Sequence, residues 1–272
     1  MNFSVITANY NGSAFLEESI LSVLEQRNSG VQLEYIIIDG NSVDSSLDII
    51  NQYRDHINVL IVEDDTGPAN ALNKGLRVAN GEVISWLNSD DIYYPNTLKR
   101  VEECLGENTT ASFCFGRCPI INEQGDEIRH SITRFKELFF PISSRFVYQS
   151  INYMSQPALF FRREIIDNEQ SLLREDMVAA WDYELFLRLW HYGKAVYIPG
   201  DPLAAFRWYG DSISGQNFSI QFKEELKAAI DDAGKWSPQV FLHRAVRWGI
   251  VGIYSAMAGL RKSDSVSTSS ED

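Results

Sequence analysis

The strongest constraint on the fold is a pattern repeated four times near the start of the chain: a short apolar run, then a helical pattern. The runs are Phe3-Ser4-Val5-Ile6-Thr7-Ala8, Leu33-Glu34-Tyr35-Ile36-Ile37-Ile38, Asn58-Val59-Leu60-Ile61-Val62 and Glu82-Val83-Ile84-Ser85-Trp86-Leu87. Their length and their β-branched and aromatic content predict strands. After the first, Leu16, Ile20, Val23 and Leu24 share a helix face, with Ser13 as N-cap. Ser42 to Tyr53, Pro68 to Ala79 and Pro95 to Leu105 also read as helices, with Pro68 in a first turn. Near-continuously apolar strands joined by helices imply an α/β domain with a mostly parallel, Rossmann-like sheet covered on both faces.

Ligands of open α/β sheets bind at the carboxyl ends of the strands. Here those ends are polar: Thr7 to Asn11, Asp39 to Asp44, Glu63 to Asn70 and Asn88 to Asp91. Asn88-Ser89-Asp90-Asp91 follows a buried strand, where paired carboxylates are costly unless solvated or bound to a cation. Oxygen ligands suit Mg²⁺ or Mn²⁺, which would neutralise a diphosphate. The competing reading is an ordinary helix start capped by Asp91; four converging polar ends favour the metal. Asp39 ends its strand either as a ligand for a base or ribose or as a turn residue before Gly40. Asp44 fits an N-cap. Tyr10 fits a base cradle or local packing. Asp64 or Asp65 would touch the nucleotide or order the loop, with a solvated acidic turn the competing reading for at least one of them, and Lys74 and Arg77 would meet phosphate or remain surface charges.

The pattern changes after about residue 110. Ala111 to Asn122 reads as strand, Glu123 to Asp126 as a hairpin turn, and Gln156 to Phe161 and Ala195 to Ile198 as further strands. Residues 130–155 are mixed and aromatic. Trp181 to Trp190 is helical, and its opening carboxylates, Asp182 and Glu184, fit a general base or a favourable charge at a helix start.

Composition sets outer bounds. A net charge of -13 argues against nucleic acid as a partner. The three cysteines, Cys104, Cys114 and Cys118, read as free thiols in a reducing compartment. No signal peptide and no apolar stretch of membrane-spanning length is visible, which predicts a cytoplasmic protein. Phe241 to Lys262 mixes apolar residues with Arg244, Arg247, Arg261 and Lys262 and carries no acidic residue. It reads as a surface lying on the inner face of an anionic membrane, suited to a lipid-linked acceptor, or as a face packed on the domain or a second subunit in a homodimer.

Five stretches together resemble family 2 of the inverting glycosyltransferases, which have the GT-A nucleotide-sugar fold. They are Ser4 to Asn11, Tyr35 to Gly40, Gly67 to Gly75, Ala79 to Asp91 and Trp181 to Leu189. The resemblance implies a metal-dependent hexosyltransferase that moves a sugar from a nucleoside diphosphate to an acceptor hydroxyl in polysaccharide or glycan biosynthesis. Uridine diphosphate is expected because it is frequent in the family. Thr7, Asn9, Tyr10, Asp39, Asp65, Asn70, Lys74, Asn88 and Ser89 would bind the donor. Asp90, then Asp91, would bind Mn²⁺ or Mg²⁺. Asp182 would be the base, with Gln156 and Trp181 on the acceptor side. Two positions depart from the family pattern: Asn88 stands for the first Asp of Asp-x-Asp, and Trp181 for the Glu of a Glu-Asp pair. Asn88 keeps open a non-catalytic domain that binds nucleotide-sugar or glycan. A nucleotidyltransferase would want a basic Gly-rich loop after the first strand, and an oxidoreductase a G-x-G-x-x-G motif; neither is present. The expected layout is a transferase domain over 1–210 (donor half 1–110, mixed acceptor half 111–210), a helical extension over 211–262 and a disordered tail over 263–272.

Overall fold

The computed structural model describes residues 1–166, 172–210 and 218–248. The expected disordered tail, and most of the basic-apolar segment, lie outside them. The strands are β1 (Asn2–Asn9), β2 (Gln32–Asp39), β3 (Val59–Val62), β4 (Val83–Trp86), β5 (Ile92–Tyr93), β6 (Ala111–Gly116), β7 (Ile120–Ile121), β8 (Glu127–Ile128), β9 (Leu159–Arg162), β10 (Lys194–Ile198) and β11 (Ala204–Arg207). The helices are α1 (Leu16–Glu25), α2 (Ser46–Gln52), α3 (Pro68–Val78), α4 (Thr97–Glu107), α5 (His130–Glu137), α6 (Arg145–Ser150), α7 (Trp181–Leu189) and α8 (Phe218–Ala233). Residues 238–248 are also helical.

A seven-stranded sheet runs in the order β10-β6-β9-β4-β1-β2-β3. β1 pairs in parallel with β2 and β4, and β2 with β3, while β9 is antiparallel to both β4 and β6. The predicted parallel, helix-covered sheet is therefore present, and the second half completes it. Successive side chains of a strand face opposite sides. Ile6, Ile36, Ile38, Ile84 and Trp86 face one buried layer with Leu72 and Leu76 of α3 and the apolar side of α7. Val5, Tyr35, Ile37 and Val83 face the other with Leu16, Ile20 and Val23 of α1 and Leu98 and Val101 of α4. A smaller sheet, β5-β11-β7-β8, stands beside the β4 end.

Three local expectations are corrected. α1 begins after Phe15 with no side-chain cap: the Gly12 carbonyl accepts from Phe15 N and Leu16 N at 3.2 and 3.1 Å, which places Ser13 ahead of the helix start. The Pro95 helix starts at Thr97, since Ile92–Tyr93 first pairs with β11. Gln156–Ala158 form a 3-10 turn, and the strand begins only at Leu159; Pro157 supplies no N–H for a ladder.

Candidate active site

The ends of β1 and β2 are fused by side-chain hydrogen bonds. Asp39 is fully buried and accepts from Ser42 N at 2.7 Å, Ser42 Oγ at 2.8 Å and Asn9 Nδ2 at 2.7 Å. Asn11 N donates to Ser42 Oγ at 2.8 Å, and Val43 N to Asn11 Oδ1 at 2.8 Å. Two glycines let the loops close. A Cβ on Gly12 would lie 2.4 Å from Asn9 Oδ1 and 2.7 Å from Ser89 Oγ; one on Gly40 would lie 2.5 Å from Asp65 Oδ2. The ends of β1, β2, β3 and β4 thus meet, as the strand pattern predicted. The buried Asn9 Oδ1 has no hydrogen-bond partner among the described residues. Tyr10, at the β1 end, is 65 % exposed.

Thr7, expected to bind the donor, is fully buried and paired with the Tyr35 hydroxyl at 3.1 Å, inside the sheet. Asp39 ties the β1 and β2 ends together through its three bonds with Asn9 and Ser42. Asn70 and Lys74 are also engaged. Asn70 Nδ2 donates to Glu175 at 2.9 Å, and Lys74 Nζ meets Glu63 at 3.0 Å and the Asp64 carbonyl at 2.6 Å. Asp65 stays partly accessible and accepts from Gly67 N at 2.8 Å.

At the end of β4, neighbouring carboxylates part company. Asp91 is fully buried, accepting Arg207 N at 2.9 Å and Asn88 Nδ2 at 3.2 Å. Burial, then the neighbouring Asp90 charge, pushes its pKa well above the carboxylate range. It ties β11 to the turn, with its side chain, expected as the second metal ligand, turned into protein. Asp90 stays partly accessible, with the Tyr209 hydroxyl on one oxygen at 3.1 Å. Burial raises its pKa too, against the opposing Tyr209 bond and Arg207 charge. The Arg207 guanidinium, 1 % exposed, braces this turn through the Asp90 carbonyl (2.9 Å) and Glu18 (2.6 Å). Asn88 also donates to Gln156 Oε1 at 3.3 Å, and Gln156 Nε2 donates to the Trp86 carbonyl at 2.7 Å. Gln156 therefore borders the site as a brace.

The acceptor side is organised by α7. Trp181 is buried against Trp86, ring centroids 5.8 Å apart, so it is part of the core and not an acceptor surface. Glu184 pairs with Arg188 at 3.0 Å, which leaves Asp182 as the carboxylate open to chemistry in this turn. Its Oδ1 accepts the Tyr183 N–H at 2.7 Å. Burial lifts its pKa to about 6; Glu225 adds to this, and Lys136 opposes it. The approach to α7 is clamped by Glu224 of α8, whose carboxylate takes the N–H groups of Val178, Ala179 and Ala180 at 2.9, 2.8 and 3.0 Å.

Lys136, Arg207, Tyr209, Glu224 and Glu225 escape the sequence reading. None ends a predicted strand or sits in a motif, and each reaches the site only by tertiary packing. Among the described residues no three His, Cys, Asp or Glu side chains gather as a metal cluster.

Residues 4–169 match the family model described as Glycosyl transferase family 2. The chain belongs to glycosyltransferase family 2. It is 28 % identical over 225 residues to the putative teichuronic acid biosynthesis glycosyltransferase TuaG of Bacillus subtilis, covering 81 % of this chain and 84 % of TuaG. It is also 28 % identical over 172 residues to a glycosyltransferase of Nostoc, covering 61 % of this chain and only about half (52 %) of that relative. Two solved structures share the GT-A fold. TarS 1–349 of Staphylococcus aureus, in complex with UDP-GlcNAc, has a TM-score of 0.67 at 19 % identity, over 85 % of this chain and 67 % of that one. The mannosyltransferase PcManGT of Pyrobaculum calidifontis, in complex with GDP-Man and Mn²⁺, has a TM-score of 0.67 at 20 % identity, over 96 % and 75 %.

Proposed function

We propose that this family member transfers a sugar, with inversion, from a nucleoside-diphosphate sugar to an acceptor hydroxyl, with Asp182 as the base. The observation that carries the reading is the Asp182 carboxylate: oriented by one N–H, largely desolvated, and poised to gain a proton at about pH 6. A base works best with a pKa near the working pH. In a single displacement Asp182 takes the acceptor O–H proton as that oxygen bonds to the anomeric carbon. The bond from that carbon to the diphosphate oxygen breaks on the opposite face, and the nucleoside diphosphate leaves with its electron pair.

Tyr10 and the highly exposed Val43 flank the bonded β1 and β2 loops and offer apolar surface to a base. Asp65 and Ser89, both partly accessible at the β3 and β4 ends, would face the donor. Asp90 would hold a divalent cation, Mn²⁺ or Mg²⁺; one partly accessible carboxylate fits such a cation because the donor phosphates would supply further oxygen ligands. When bound, the cation would neutralise the departing diphosphate. UDP-sugars are the first donors to test, given UDP-GlcNAc in TarS, with GDP-Man second, given PcManGT. The name of TuaG supports an acceptor in cell-surface polysaccharide synthesis.

The experiment is Asp182→Asn, assayed for transfer and for donor binding. Loss of transfer with donor affinity kept within about threefold is expected. Retained transfer would remove Asp182 from the mechanism.

A further inference from the structure

Most surface helices turn their apolar stripe toward the core. The helix over residues 238–248 does this only in part. Val240 and His243 are buried, with His243 Nδ1 3.1 Å from the Gln149 carbonyl of α6. Phe241, Ala245 and Trp248, spaced as successive turns of one face, point to solvent together with Leu242. Phe241 is 49 % exposed and Trp248 79 %. Trp236, in the turn before the helix, is also exposed. Aromatic side chains gathered this way mark an interaction surface, whereas single exposed apolar residues are ordinary.

Cations surround the stripe. Arg244 lies 5.6 Å from the Phe241 ring centroid and Lys235 5.4 Å from that of Trp236. From Gly234 to Lys262 the sequence has five basic residues and no acidic one, in a chain whose net charge is -13. Such segregation of charge against the overall balance selects an anionic partner. A second copy docked isologously would bring like cations together, whereas an anionic bilayer accepts both the aromatic stripe and the cations beside it.

We propose that the 238–248 helix, with Trp236, is a docking surface for an anionic lipid bilayer, the apolar stripe entering the headgroup boundary. The exposed stripe excludes His243, whose ring packs 6.1 Å from that of Tyr183, and the proposal does not depend on the reading of Asp182.

The test is co-sedimentation of the full chain with phosphatidylcholine vesicles, with and without phosphatidylglycerol. Binding to the anionic vesicles, weakened by salt, is expected. Phe241→Ser/Trp248→Ser should lower the partition coefficient by about a hundredfold, since each buried aromatic is worth roughly tenfold or more. Arg244→Gln/Arg247→Gln should lower it by about thirtyfold. Trp248→Ser alone changes a side chain 79 % exposed, so it tests the surface even if the double variant folds poorly. Thermal melting and release of nucleoside diphosphate from donor should match wild type, which separates membrane failure from catalytic failure. Equal partition of wild type and Trp248→Ser would overturn the proposal. So would a failure of wild type to bind anionic vesicles, or self-association abolished by Trp248→Ser without vesicle binding, which would make a second copy the occupant.

Discussion

Asp182→Asn should make the protein more stable while stopping transfer. The Asp182 pKa lies at about 6 in the fold against an ordinary 3.8. The folded state therefore binds this proton more tightly than the unfolded state, and wild type loses stability as pH rises from about 4 to 6. At roughly 1.4 kcal/mol per tenfold, the ceiling above pH 6 is about 3 kcal/mol. Asp182 keeps some contact with solvent, so about 1–2 kcal/mol is the expected effect. Asparagine removes the charge and keeps the oxygen that accepts the Tyr183 N–H. Urea unfolding of both proteins from pH 5 to 8 should show the variant ahead by about 1–2 kcal/mol at pH 8, and by about half as much at pH 5. A destabilised variant, or a gap independent of pH, would refute the desolvated carboxylate on which the proposed base rests.

Transfer rate at saturating donor should climb through about pH 6 and then level off, as deprotonated Asp182 becomes the dominant form; a flat profile from pH 5 to 8 would argue against it. Glu224→Ala strands the N–H groups of Val178, Ala179 and Ala180. It should cost about 2–4 kcal/mol in denaturant unfolding and lower kcat more than it raises donor KM; an unchanged kcat would separate the clamp from the site. Asn88→Asp, which restores the usual family residue, should be destabilising by about 1–3 kcal/mol in thermal or urea melts, because it replaces a donor to buried Asp91 with a third carboxylate; a more stable variant would contradict that role for the amide.

The sheet could be read from the sequence because β1, β2 and β4 are apolar on both faces, a pattern that water-exposed strands do not share. The convergence of their ends followed from topology alone. Side-chain direction did not. Thr7 sits in the polar-looking end of β1, yet its strand position turns it inward to Tyr35. Asp90 and Asp91 are adjacent in sequence, and only pairing of β5 with β11 decides that Asp91 turns inward to Arg207. Trp181 opens a helix beside the base, but its ring is claimed by Trp86. Glu224 lies 42 residues beyond Asp182 in the chain and reaches its neighbourhood through the packing of α8 on α7. The antiparallel β9 was hidden for a similar reason: a short apolar run carries no mark of direction.

In the proposed donor site at the β4 end, Asp90, rather than Asp91, would meet the diphosphate through a divalent cation. Calorimetric titration of UDP and GDP into wild type and Asp90→Asn, each with and without Mn²⁺, addresses it directly. Wild type should bind one of these nucleotides in a Mn²⁺-dependent manner, and Asp90→Asn should bind it at least about tenfold more weakly while melting no lower than wild type. Equal Mn²⁺-dependent affinity in the two proteins would contradict the claim.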